Sequence, residues 1–150
     1  MPRATLSQKD KELIAVACAV SAGCQRCCIY HFKMAFEVGA TVGEVQQAVA
    51  DAESTIQHAD EMMQRKAYEL MDVRRANVPV AVEATGRLAA LVKLGAAVAS
   101  NCASTIAAHL ALAQASGATQ GEITVAVKFG QMIVGKAGQF ARELLKESHA

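Results

Sequence analysis

Residues 23–31 read GCQRCCIYH, which places Cys24 and Cys27 three apart and His31 four beyond the second cysteine. On an α-helix, Cys24, Cys27, Cys28 and His31 fall within an arc of about 100° and share one face. At a helix start, Cys24 and Cys27 stand close enough to close a disulfide. The partial positive charge of the N-terminus favours a thiolate, and C-x-x-C placement commonly lowers a thiol from its ordinary value of about 8.5. An imidazole one turn further along can accept or relay the thiol proton. This pattern suits dithiol chemistry. Cys24, Cys27 and His31 could also offer three ligands to a metal, but a structural zinc site usually recruits a second ligand pair from another segment. The only comparable pair, Cys102 and His109, has a helix of its own to hold.

That second pair lies in NCASTIAAH, residues 101–109, which repeats the frame with Thr105 in place of the second cysteine. A shift of 78 superimposes Cys24 on Cys102, His31 on His109, and Gly39 and Gly43 on Gly117 and Gly121. It also lays GATVGEV (39–45) over GATQGEI (117–123). The chain reads as a tandem duplication, a single domain over 1–150 with repeat 1 at about 5–76 and repeat 2 at about 79–148. Without a dithiol partner, Cys102 and His109 read as packing residues across a pseudo-twofold, with His109 hydrogen-bonded in the core. Cys18 and Cys28 also read as packing residues, since Cys28 corresponds to Ile106.

The elements that must position these residues are helices throughout. The chain is alanine-rich, with only 2 prolines and 10 glycines in 150 residues, and no strand pattern appears. Ser7 with Asp10 forms a capping box for a helix over 7–21. A break at Ala22-Gly23 precedes a second helix over 24–38, ended by Gly39. Thr41 caps a third over 42–58, and a fourth covers 59–75, separate from the third or continuous with it. The second half gives helices over 80–99, 102–116, 120–134 and 136–147. Asn77-Val78-Pro79 marks the join, and Arg74 and Arg75 read as a basic helix C-terminus.

Composition narrows the function classes. Net charge is +1, from 15 basic and 14 acidic residues with no basic cluster, so a nucleic-acid partner has no electrostatic footprint. The start, MPRATLSQKDKE, is too polar for a signal peptide, and the longest apolar run, LIAVACAV, is too short for a membrane span. A cytoplasmic protein is expected. Five cysteines are an odd number, unlike a secreted disulfide framework. No G-x-G-x-x-G opens a helix after a strand, so no nucleotide cofactor is expected.

C-x-x-C-x-x-x-H after an alanine-rich helix, followed by the G-A-T-x-G-E turn, resembles the alkylhydroperoxidase D and carboxymuconolactone decarboxylase superfamily. The likeness spans both repeats. The redox branch of that superfamily carries a glutamate twelve residues before the first cysteine, and Glu12 occupies that position. The resemblance implies a small all-helical fold and a peroxidase whose cysteine pair cycles between dithiol and disulfide. It makes Cys27 the residue that attacks a hydroperoxide, Cys24 the one that resolves the sulfenic acid, and His31 with Glu12 a proton relay. From the motifs and ligand spacing no bound cofactor or metal is expected, and the resemblance implies a lipoyl or thioredoxin-like dithiol as reductant. Relatives with one repeat per chain form larger rings, so the fused repeat is expected as a homotrimer. Two departures stand out. Arg26 replaces a histidine of the best-studied pattern, and Ala90 replaces the glutamate in the second half. The alternatives are a decarboxylase-like enzyme of the same fold and a non-enzymatic oligomeric binding protein.

Overall fold

The computed structural model describes residues 6–148 as six helices in two sets of matching length. The first set is α1 (Gln8–Ser21), α2 (Gln25–Glu37) and α3 (Val42–Leu70), of 14, 13 and 29 residues. The second is α4 (Arg87–Ser100), α5 (Ala103–Ala115) and α6 (Gln120–Ser148), again of 14, 13 and 29. Among the described residues there is no strand, so the chain is all-α as expected. Among the described residues no helix is long and apolar enough to cross a membrane.

The caps follow from local sequence. Ser7 accepts from the Asp10 amide while the Asp10 carboxylate accepts from the Ser7 amide, the reciprocal box that satisfies two orphan donors. Thr41 with Glu44, and Thr119 with Glu122, close α3 and α6 in the same way. Gly39 and Gly117 take positive φ (94° and 83°) where α2 and α5 end, the left-handed step that turns each chain into its long helix.

Three expectations need correction. The break expected between 134 and 136 is absent, and of the two readings of 42–75 the continuous one holds, so each long segment is one helix of 29 residues. Residues 59–70 are mostly strong helix formers, and a glycine such as Gly135 costs only about 1 kcal/mol, too little by itself to stop a helix. The first long helix ends at Leu70 rather than near 75, because Asp72 turns left-handed (φ 56°) and the Val73 amide donates back to the Tyr68 carbonyl. Arg74 and Arg75 therefore lie beyond the helix. Arg75 instead clamps Glu61 through two bonds of 2.7 and 2.8 Å. Lastly, α4 starts at Arg87, not near 80, since the β-branched run around Pro79 continues as irregular chain.

Glu61 organises that connection. Its carboxylate also accepts from Arg65 at 3.1 Å and from the Val78 amide at 2.9 Å. The Arg75 bonds above all, against an upward push from burial, hold the Glu61 carboxyl down at about 2.

The core lies between α1 and α4. Glu12 through Ala19 are buried without interruption, as are Ala90 through Ala97. Such helices, covered on all sides, need small side chains for close approach. A methyl on Gly95 would come within 2.8 Å of Cys18 Sγ, and one on Gly130 within 2.7 Å of Val98. These two glycines set how closely α1, α4 and α6 pack. Around this pair, α2 meets α6 and α5 meets α3, so each short helix packs against the long helix of the other half.

Candidate active site

The site is built where α1, α2 and α6 meet. Gly23 adopts φ 66°, which turns the chain sharply out of α1. Cys24 then serves as N-cap of α2, not as its first helical residue, and its sulfur accepts from the Cys27 amide at 3.2 Å. Cys24 and Cys27 are joined as a disulfide across a Cα–Cα distance of 5.2 Å, and both are buried. One turn on, His31 Nδ1 lies 2.9 Å from Glu12 Oε2, with both residues under a tenth exposed. The four residues singled out in the sequence therefore come together. Glu12 belongs to the buried stretch of α1, where an unpaired carboxylate would be costly, so pairing with His31 satisfies both groups.

A cleft of about 540 Å³ opens onto this group, lined by Glu12, Cys27 and His31 together with Arg26, Tyr30, Met132, Ile133, Lys136 and Phe140. Tyr30 sets its ring edge-on to His31 at 4.9 Å. The α6 residues form the opposite wall, so the first half's cysteine pair works against a surface supplied by the second. Arg26 does not point its charge at the sulfurs. Its guanidinium lies 4.1 Å above the Phe140 ring and donates to Glu143 Oε2 at 3.1 Å. Another cleft, of about 530 Å³, borders Cys24 on the far side of this clasp.

The second half repeats the frame with other contents. Asn101 takes the left-handed turn (φ 59°) that Gly23 takes in the first, and Cys102 is the N-cap of α5. Thr105 is fully buried, and its hydroxyl lies 2.8 Å from His58 Nδ1. His109 Nδ1 lies 2.8 Å from the Thr105 carbonyl oxygen, as expected for a core histidine, and the two imidazoles meet edge to face at 5.4 Å. Ala90, buried, stands where Glu12 stands. Burial lowers the proton affinity of His58, helped by the charge of Arg65. Burial does the same for His109, where the Thr105 bond opposes it and the charges of His58 and Lys93 add to it.

His58 and Lys136 are not evident as site residues from the sequence. The available signal is positional: buried Ala48, Asp51, Thr55 and His58 follow the helical period on the inner face of α3, an unusual place for polar groups. Cys18 is fully enclosed and Cys28 half-buried, and burial raises both thiols, as fits packing residues. Among the described residues no group of three or more His, Cys, Asp or Glu side chains is arranged to hold a metal.

Residues 2–69 match the model of the Carboxymuconolactone decarboxylase family. The likeness to that family covers just under half of the chain. The family stretch contains α1, α2 and all but the last residue of α3, and with them Glu12, Cys24, Cys27 and His31. Neither the curated proteins nor the solved structures give a match to the chain.

Proposed function

We propose that the chain is a thiol-dependent peroxidase of the alkylhydroperoxidase D type, with Cys24 and Cys27 as its cycling dithiol. The observation that carries this reading is the buried Glu12–His31 pair, 2.9 Å apart and one helical turn from the cysteine pair, at the base of an open cleft. A carboxylate on Nδ1 fixes the imidazole tautomer and leaves Nε2 to take the Cys27 proton. In the reduced protein the Cys27 thiolate attacks a hydroperoxide oxygen. The S–O bond forms as the O–O bond breaks, and the alcohol leaves with the proton held by His31. The Cys24 thiol then attacks the Cys27 sulfenic acid, so the S–S bond forms and water departs. An external dithiol, lipoyl or thioredoxin-like, returns two electrons by exchange. The expected homotrimer has an apolar surface to draw on, since Ile29, Phe36 and Val42 are exposed.

The competing decarboxylase reading draws on the family of residues 2–69 and would use the same cleft without the sulfurs. The two separate cleanly. Reduced protein given one equivalent of cumene hydroperoxide should lose two thiols and form the Cys24–Cys27 disulfide, mapped by peptide mass spectrometry. Cys27→Ser should abolish peroxide consumption with dithiothreitol as reductant. A Cys27→Ser variant that consumes peroxide at the wild-type rate rejects the peroxidase reading.

A further inference from the structure

The site contains a cation with no established task. Lys136 lines the cleft together with Cys27 and His31, and among the described residues it makes no hydrogen bond or ion pair. Its counterpart in the other half, at the same offset of 78 that relates Cys24 to Cys102, is His58. His58 reaches across from α3 to α5 and touches Thr105 at 2.8 Å, and Thr105 stands where Cys27 stands. The crossing of α6 over α2 repeats the crossing of α3 over α5. Position 136 is thus the counterpart of the position that, in the other half, reaches the residue equivalent to Cys27.

The other charged groups around Cys27 are already engaged. On α2, Arg26 is held by Glu143 and Phe140, and Tyr30 packs against His31. On α1, Glu12 is bound to His31. On α6, Glu143 answers Arg26. On α3, Glu53 borders a different cleft, beside Phe32 and Phe36. That leaves Lys136 as the unengaged cation in a cleft lined also by Cys27, a nucleophile that reacts only when charged.

We propose that Lys136 is the cation that faces the Cys27 sulfur in the reduced protein and holds it as a thiolate. It is a positioning charge delivered by the second half to the chemistry of the first, in place of the displaced Arg26. The inference rests on the proposed dithiol role of Cys27. A nearby opposite charge shifts such an equilibrium by about one pH unit or more. The test is the pH dependence of iodoacetamide alkylation of Cys27 in the reduced protein, followed by tandem mass spectrometry. Lys136→Met should raise the alkylation midpoint by about one pH unit and slow the reaction about tenfold below it. Lys136→Arg should keep the wild-type midpoint. Lys136 is exposed, so both variants should keep the helical circular dichroism of the parent. An unchanged midpoint in Lys136→Met overturns the proposal, as does an effect confined to KM for an anionic hydroperoxide. Alkylation requires no turnover, so a shifted midpoint in a protein inactive toward peroxide would refute the peroxidase reading and leave this one standing.

Discussion

The corner at Cys24–His31 and the corner at Cys102–His109 share a backbone and differ in what they bury. Both begin with a left-handed residue, then an N-cap cysteine, then a helix carrying a histidine seven positions on. In the first, the histidine faces a carboxylate and a disulfide beside an open cleft. In the second, it is turned onto its own helix and packed against another imidazole. The differing positions include Glu12 against Ala90, Cys27 against Thr105, Tyr30 against Ala108, and Lys136 against His58. Buried polar groups must be satisfied. The first corner meets this requirement with an ion-pairing set that can still exchange protons, the second with a neutral set of hydroxyl, carbonyl and imidazoles. The same frame can hold a reactive site or a filled core, and the side chains set on it decide which.

The largest expected effect tests whether the carboxylate matters as argued. Glu12→Gln should lower peroxide consumption by about 10²–10⁴-fold, the usual worth of general acid–base help, with helix content unchanged. His109→Gln, the corresponding disturbance of the second corner, should leave turnover within about threefold of wild type. A Glu12→Gln variant that keeps full activity from pH 6 to 9 removes the relay from the mechanism. A large loss in well-folded His109→Gln would mean that the two corners share chemistry.

A smaller effect, a change of state more than of rate, comes from giving the second corner what it lacks. Cys102 already has the N-cap conformation of Cys24, with φ −95° against −94°. Thr105→Cys should therefore let the introduced thiol close a disulfide with Cys102 under mild oxidant. Oxidised wild type keeps three free thiols, Cys18, Cys28 and Cys102, whereas the variant should keep only Cys18 and Cys28 on thiol titration in denaturant. Losing the His58–Thr105 bond should cost about 1 kcal/mol of stability, or somewhat more with His58 left unpaired. No second peroxidase activity should appear, because Ala90 supplies no carboxylate. Cys102 still titrating in oxidised Thr105→Cys would show that the two frames are not interchangeable.

Much of this is legible in the sequence because it is written in local spacing. Capping boxes, the glycine after each short helix, and the C-x-x-C-x-x-x-H face all depend on residues within two turns of one another. Those readings lead directly to α1, α2, the helix starts at Val42 and Gln120, and to Cys24, Cys27 and His31, whereas Glu12 is singled out only by the family resemblance. What the sequence hides depends on contacts far along the chain or on the absence of a breaker. Arg75 reads as a helix end because its partner, Glu61, lies fourteen residues back and meets it only once Asp72 has turned the chain. Lys136 and His58 escape notice because each sits at the interface with the other half, where sequence distance says nothing about proximity. Arg26 is open to a role beside the thiolate until Phe140 and Glu143, more than a hundred residues away, are seen to hold it.

The smallest expected effect separates the corners by pH. His58 and His109 are held neutral by burial, below the ordinary imidazole value of 6.5. The unfolded chain therefore binds those protons before the folded chain does, and stability must fall as pH drops through 6.5. Glu61 works in a different range. Its lowered carboxyl contributes stability that is complete above about 4.5 and lost only toward its folded value of about 2. Between pH 7 and 5, the second corner should therefore contribute a decline in melting temperature on the order of a few degrees. His58→Gln, which can still hydrogen-bond to Thr105 but cannot titrate, should flatten part of that decline, and adding His109→Gln should flatten more. Equal slopes in wild type and the double variant would mean that these imidazoles are protonated in the folded chain, and the second corner would then be a charged site rather than a filled core.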